Sequence, residues 1–427
     1  MARTLSRIAA VAVVGALLAV TACGPQPAAV VLVKAEGVAR VSVQPQDYSA
    51  QLKALNASVR KLGGALLADG GDGTNGNVVS SPASLLIALG MLRSGTSGVT
   101  AAEMDTVLGL PAEGRDEALN ALLTSLAKYD GDPGSVDEDN PPRKPVMHTV
   151  NGLFVDRDVP TGPAFLANLA RQFGTGVYPV SFQDEAVTKP AIDRWVSENT
   201  GGRIKEAPAG YDRDNTFSLL NALYFAAAWQ TPFNANNTSD RPFTTAGGEV
   251  VPVPTMGATV SMKYAEASGW KAVDLPYAEG FVMRLVLPDA GTPGSAAVSA
   301  EVMAGVEDGL SRARAQMVTI ALPKWDHKTT FDLRKVFESL GLKEMLRTES
   351  DFNAIQTGMK LTQAAQAANI TVAEKGTVAA AVTQINGMAT SGTVVQREII
   401  LDHPFHYEIV HVETGMPLFT GWVADPR

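Results

Sequence analysis

The chain of 427 residues contains a single cysteine, Cys23, so no internal disulfide can hold it together. It has no long basic run. Its 35 lysines and arginines stand against 44 acidic residues, a formal charge of −9, which argues against a nucleic-acid partner. Beyond its N-terminal end it has no stretch of about twenty apolar residues, and so no candidate transmembrane helix. No Gly-x-Ser-x-Gly elbow, Walker motif or dinucleotide fingerprint is present. Two Ser-x-x-Lys runs, Ser58 to Lys61 and Ser125 to Lys128, lack the Ser-Asp-Asn or Lys-Thr-Gly partners that penicillin-binding enzymes need, and chance accounts for both. The five histidines are His148, His327, His403, His406 and His411. On a strand His406 and His411 point to opposite faces, which speaks against a metal site, and no cofactor is implied. What remains is an ordinary globular composition, 45% hydrophobic and 19% charged.

The N-terminus reads as an export signal over residues 1–22. Arg3 and Arg7 supply the positive start, and Ile8 to Val20 is an apolar core of about thirteen residues, short for a bilayer span but suited to a signal. Val20-Thr21-Ala22-Cys23 resembles a bacterial lipobox, with cleavage before Cys23 and lipidation of that cysteine. A lipid anchor at the membrane or cell surface is therefore expected, with plain secretion as the other outcome. Residues 23–46 read as a flexible spacer.

From residue 47 to 427 the pattern is that of one domain. Asp47 to Leu67 carries apolar residues at helical spacing, namely Leu52, Leu55, Val59, Leu62 and Leu66. Ser81-Pro82 opens a second helix, with the serine at the cap and the proline at the first turn. Asp130 to Pro145 is acidic and rich in Pro and Gly, an exposed loop. Helices are expected over Pro163 to Gln172, Pro190 to Glu198 and Leu333 to Leu340. Phe217 to Trp229 is a buried strand, Arg241 to Leu287 holds several antiparallel strands, Val318 to Leu322 is a further strand, and Ile399 to Val423 holds a hairpin turning at Glu413-Thr-Gly415. Helices in the first half and strands in the second suggest one intertwined α+β domain.

One stretch stands apart. Glu374-Lys-Gly-Thr-Val-Ala-Ala-Ala-Val-Thr383 joins a glycine pivot, Gly376, to a run of small and β-branched residues. As a strand it would set Thr377, Ala379, Ala381 and Thr383 on one face and Val378, Ala380 and Val382 on the other. Such a segment can stand as a loop or slide between two strands. Taken alone it also fits a hairpin arm or the end of an Ala-rich helix.

Separated blocks then point one way. Asn77-Val-Val-Ser-Ser-Pro-Ala-Ser-Leu-Leu, Leu220-Asn-Ala-Leu-Tyr-Phe-Ala-Ala-Ala-Trp229, Val253-Pro-Thr-Met256, the spacing of Trp195, Thr200, Gly202 and Ile204, the Glu374 stretch, Leu401-Asp-His-Pro-Phe405 and Leu418-Phe-Thr-Gly421 occur in the order found in serpins. The chain resembles a bacterial, exported lipoprotein member of that family from about Tyr48 to Arg427. The resemblance implies an α+β fold of three β-sheets and about nine helices, with an exposed reactive-centre loop over about 374–397. It implies no enzyme but a suicide inhibitor. A target serine protease cuts the loop, is acylated by it, and is trapped as the loop enters the main sheet.

The resemblance also assigns residues. Glu374, Gly376, Thr377, Ala379, Ala380 and Ala381 form the loop hinge. Ser81, Ser84, Asn221, Gln366 and Trp229 belong to the region where the sheet opens, with Gln366 where many animal relatives carry a titratable histidine. Counting from the hinge puts the reactive bond at Thr390-Ser391. Counting back from Pro404 puts it near Thr393, so it lies within Met388 to Val394. The loop before Val395 has no Arg, Lys or aromatic residue, which favours elastase-like or subtilisin-like targets. Val378 and Val382 depart from the usual acidic and small residues. The helix from Ala118 to Tyr129 has only Lys128, so no glycosaminoglycan stripe is expected. A monomer is expected, with loop exchange between two copies left open. The other reading is a non-inhibitory surface binding protein of the same fold.

Overall fold

The computed structural model describes residues 29–137, 139–208, 210–292, 299–347, 351–377 and 397–427. Among these are eight α-helices: α1 (Ser49–Asp69), α2 (Pro82–Arg93), α3 (Gly98–Leu108), α4 (Arg115–Leu126), α5 (Pro163–Asn168), α6 (Glu185–Asn199), α7 (Ala300–Arg312) and α8 (Leu333–Leu340). Helix α1 buries the stripe Leu55, Val59, Leu62 and Leu66 and stops at Gly70, whose left-handed backbone (φ 77°) lets its N–H reach the Leu66 carbonyl. Helix α2 starts where Ser81 caps the Ser84 N–H and Pro82 fills the first turn, and eleven of its twelve residues are buried. A helix buried all round belongs under a sheet.

Fifteen strands complete the described chain: β1 (Val78–Ser80), β2 (Val146–Asp156), β3 (Tyr178–Val180), β4 (Phe217–Ala228), β5 (Ser239–Thr244), β6 (Val250–Ala267), β7 (Trp270–Pro276), β8 (Phe281–Pro288), β9 (Gln316–Pro323), β10 (Trp325–Asp332), β11 (Gln363–Ala373), β12 (Gly376–Thr377), β13 (Arg397–Ile400), β14 (Phe405–His411) and β15 (Met416–Val423). One sheet has the order β10-β11-β12-β4-β2-β3. The other runs β1-β15-β14-β8-β7-β6-β9-β13, with β5 also on β6. The 18-residue β6 pairs with β5 and β9 along one part and with β7 along the next. Two of the three expected sheets are thus continuous through one long strand.

Strand β4 is buried along its whole length because both faces of the six-stranded sheet are covered. The inner face joins the main core with α2. On the outer face Ile192, Trp195 and Val196 of α6 pack with Phe154, Tyr178, Leu220, Ala222, Ala365 and Ala367.

Two local expectations differ. Helix α6 begins at Glu185, so Pro190 lies inside it rather than at its start. That proline forgoes only one intrahelical bond near the N-terminus. The spacer read over 23–46 is not free along its described part. Val33 and Val177 exchange backbone bonds of 2.8 and 3.0 Å, the Val41 N–H reaches the Arg171 carbonyl at 2.9 Å, and Arg40 grips the Asn120 side chain and carbonyl. The acidic segment from Asp130 is a largely exposed loop, as expected; it is anchored where Asp130 bridges to Met147 and where Pro133–Ser135 forms a 3₁₀ turn capped by Asp132.

Candidate functional site

The six-stranded sheet is parted along one seam. Strands β11 and β4 pair in parallel from Gln363 opposite Ser218 to Ala367 opposite Ala222. At the other end β12 stands between them, antiparallel to both: Gly376 lies opposite Ala373 and Ala228, and Thr377 opposite Val372 and Ala227. Between these points the facing edges of Ala368–Thr371 and Leu223–Ala226 have no strand partner among the described residues. Such an edge presents backbone donors and acceptors ready for a further strand.

The segment expected to be the loop hinge is fixed here from several sides. The Thr377 hydroxyl is buried and hydrogen-bonded to the Tyr277 hydroxyl. Tyr277 stacks on Trp229 with ring centroids 4.4 Å apart. The Trp229 indole N–H donates to the Ala373 carbonyl at 2.9 Å, and its backbone N–H to the Lys375 carbonyl at 2.9 Å. Phe233 N–H donates to the Glu374 carbonyl at 2.8 Å. The Glu374 carboxylate sits 2.9 Å from the Lys324 ammonium and accepts from the Thr238 hydroxyl at 3.0 Å. Burial pushes this carboxyl up, but Lys324, a backbone N–H and Thr238 outweigh it and hold its pKa below the ordinary value. Lys375 donates to the Asp139 carbonyl and to Asn140 Oδ1, both at 2.9 Å. Gly376 is needed for close approach and not for an unusual φ. It is absent from the positive-φ glycines, while a Cβ there would lie 2.1 Å from the Ala227 carbonyl oxygen.

Behind the closed part of the seam lies a buried polar network. Asn221 donates to Ser84 Oγ and, at 2.5 Å, to Asn151 Oδ1. Gln366 donates to Asn221 Oδ1 at 2.7 Å and to the Ser81 carbonyl at 2.9 Å, while its own oxygen accepts from the Ser81 N–H at 2.9 Å. Ser81 Oγ donates to the Leu418 carbonyl at 2.8 Å. The structure brings Ser81, Ser84, Asn221 and Gln366 into one network that spans β11, β4 and α2. Trp229 is not in it; it stands at the other end of the seam with the hinge. Asn151, Tyr277, Lys324 and Lys375 were not singled out in the sequence. Their partners are 50 residues or more away in the chain, and no local spacing marks them. Ala379, Ala380, Ala381, the Thr390-Ser391 bond, Met388 to Val394 and Cys23 with the signal lie outside the described residues.

The Ser-x-x-Lys runs form no site. Ser58 Oγ donates to the Ala54 carbonyl at 3.0 Å and Lys61 to the Val107 carbonyl; Ser125 Oγ donates to the Leu122 carbonyl at 2.8 Å and Lys128 pairs with Glu413 at 3.2 Å. Among the described residues no three His, Cys, Asp or Glu side chains come together as metal ligands. A cavity of about 420 Å³ between α1, α7, β14 and β15 is lined by Arg60, Met303, Glu307, His406 and Glu408. Burial opposes charge on Glu408, but Arg60, then His406 and Arg284, outweigh it and bring its pKa to about 2.

Residues 60–426 match the family described as Serpin (serine protease inhibitor). An uncharacterized serpin-like protein of Thermococcus kodakarensis is 33% identical over 366 residues, 83% of this chain and 82% of that protein. Plasminogen activator inhibitor 1 of Bos taurus is 30% identical over 405 residues, 91% of this chain and 96% of the relative. The native-state crystal structure of the thermophilic serpin tengpin aligns with a TM-score of 0.78 at 22% identity, covering 93% of this chain and 100% of that one. Thyroxine-binding globulin in complex with thyroxine aligns with a TM-score of 0.75 at 22% identity over 89% and 99%; at this identity both show the shared fold. The chain belongs to the serpin family, whose members are mostly protease inhibitors.

Proposed function

We propose that the chain is a suicide inhibitor of serine proteases that works by adding its cleaved loop to the six-stranded sheet. The observation that carries this reading is the place of Gly376 and Thr377, paired with β11 and β4 at once. Continuing that register, Val378 would come level with Thr371 and Ala226, and Ala381 with Ala368 and Leu223. The open stretch of the seam thus matches the residues that follow the hinge, Val378 and three alanines. Thr377 faces the core side, so Ala379, Ala381 and Thr383 would follow it there. Val382 would meet the closed pair Ala367–Ala222, and Thr383 would come level with Gln366 and Asn221. Insertion past Ala381 must therefore break the 2.7 Å bond between these two side chains. Each added rung contributes about 1 kcal/mol net. A strand of about ten residues then rivals the roughly 5–15 kcal/mol stability of a domain. An uncut loop is tied at both ends and cannot deliver it.

On this reading the protein traps proteases and catalyses nothing. It acts as a monomer, and the reactive bond lies within Met388 to Val394. The lack of Arg, Lys and aromatic residues there supports elastase-like or subtilisin-like targets. The N-terminal sequence supports export and tethering through a lipid on Cys23. Mixing the mature protein with elastase, subtilisin, trypsin and chymotrypsin tests the central claim. A complex that survives denaturing gels, with a released peptide starting within that window, is expected. Clean cleavage with no complex and no gain in heat stability overturns it. The mass of the mature N-terminus, and release of a Cys23→Ser variant into the medium, test the anchor.

The 420 Å³ cavity favours a second reading, a non-inhibitory binding protein. His406 Nδ1 and one oxygen of Glu408 make no hydrogen bond there. Thyroxine-binding globulin is a serpin-fold protein with a bound small molecule. A ligand that raises the melting temperature, in a protein that forms no protease complex, would favour this reading.

A further inference from the structure

Helix α6 lies over β2 and β4, where Trp195 packs edge-on against Phe154 at 5.3 Å and Tyr178 at 5.6 Å. Its C-terminus turns sharply through Gly201 and Gly202, both at positive φ, and the Gly202 N–H returns to the Ser197 carbonyl at 2.8 Å. Thr200 Oγ1 accepts from the Ile204 N–H at 3.2 Å. Arg203 is therefore held between two residues fastened to the helix end, and its side chain reaches across the seam to β11. The guanidinium donates to Asn369 Oδ1 and, at 3.0 Å, to Thr371 Oγ1. The Thr371 hydroxyl in turn donates to Asp326 Oδ1 on β10 at 2.7 Å, and Asn369 donates to the same oxygen at 3.2 Å. A cation on the α6 side is thus joined through a hydroxyl and an amide to a carboxylate on the β10–β11 side.

The position is informative. Asn369 and Thr371 belong to the stretch of β11 whose edge toward β4 is unpaired. A second tie, from Asn215 to Gln363 at 2.9 Å, lies where the two strands are still paired. Widening the sheet moves β10 and β11 away from β4, β2 and the helix packed on them. Of these two ties, Arg203 spans the parted stretch.

We propose that Arg203 is a strap across the parted seam: by joining the end of α6 to side chains of β11 it resists widening of the sheet and sets the rate at which a strand enters. It is a positioning residue, and the proposal rests on the reading of this seam as a strand-entry site. Charge-assisted hydrogen bonds are the stronger ones, so losing them should matter to the opening step.

The test offers the full mature protein an excess of a synthetic peptide with the sequence of residues 377–388 and follows its uptake on native gels. The wild type is expected to take it up slowly. Arg203→Gln is expected to do so about tenfold faster, with Arg203→Lys in between. The double variant Asn369→Ala, Thr371→Val removes the acceptors from the strand side, keeps Arg203, and is expected to match Arg203→Gln. If the wild type takes up peptide and both folded variants are no faster, the strap is wrong while strand entry stands. If no protein takes up peptide, strand entry itself is wrong and the strap falls with it. A lower urea midpoint in Arg203→Gln without faster uptake would make the residue merely structural and also overturn the proposal.

Discussion

Tyr277 and Thr377, a hundred residues apart in sequence, share a hydrogen bond between their hydroxyls in a fully buried site at the mouth of the seam. Burial also pushes the Tyr277 phenol well above its usual pKa, so it stays neutral across the working range. Neither group has room or solvent for a charge. Thr377→Arg is expected to cost several kcal/mol if the guanidinium stays inside, so the hinge should leave the sheet instead. On the proposed mechanism this variant is cut by its target as an ordinary substrate. A protease titration followed on denaturing gels checks it; persistent complex formation by Thr377→Arg would contradict the role given to this position.

Gly376→Ala acts one residue earlier by another cause. Its methyl group would sit 2.1 Å from the Ala227 carbonyl oxygen, a backbone atom with little freedom to move. The two hinge rungs should be lost, and with them about 1 kcal/mol for each hydrogen bond. Amide exchange at Thr377 is expected to rise by an order of magnitude or more, which mass spectrometry can follow.

Gln366→Leu leaves the Ser81 N–H and Asn221 Oδ1 without the partners that now satisfy them, while the Ser81 carbonyl keeps the Leu85 N–H at 3.2 Å. Each buried orphan costs about 1–3 kcal/mol. Urea unfolding of the intact protein should shift down by roughly 2–6 kcal/mol, while strand entry becomes faster because the bond at the closed end of the seam is gone. A variant as stable as the wild type would show that the network holds nothing.

Acid should weaken the fold through two buried histidines. Burial lowers His327 and His411 from 6.5 to about 4. His327 Nε2–H donates to the Asp425 carbonyl at 3.2 Å, and His327 Nδ1 and His411 Nε2 have no hydrogen-bond partner. The unfolded chain takes up protons below pH 6.5 and the folded one only near 4, so stability falls as pH falls across that window. Each group contributes up to about 1.4 kcal/mol per pH unit. Melting temperatures measured from pH 7 to 4 should decline, and His411→Asn should flatten the decline. A profile unchanged by that substitution would remove His411 from the account.

Much of this could be read in the chain, and the exceptions have a common cause. The stripe on α1, the Ser81-Pro82 start of α2, the long apolar β4 and the hairpin of β14 and β15 are local patterns with local physics. Pro190 misled because proline usually opens a helix, while here the helix starts five residues earlier, where the Thr188 N–H bonds back to the Asp184 carbonyl and its hydroxyl to the Ser181 carbonyl. Gly376 suggested a pivot, but its reason is the carbonyl of Ala227 from a strand far earlier in the chain. Asn151, Tyr277 and Arg203 belong to the seam only because strands distant in sequence meet there. Residues 29–46, read as spacer, lie along the body through bonds of Val33, Arg40 and Val41 that no periodicity announces.

The two rungs made by Gly376 and Thr377 change the kinetics of whatever follows. Starting a new strand between two others ordinarily carries the entropy of closing a loop before any bond rewards it. Here that closure is complete in the waiting state. Further entry is elongation from a formed nucleus, one residue at a time, so its time course should show no lag. The race against hydrolysis of a trapped acyl bond would then be decided by how fast the seam yields.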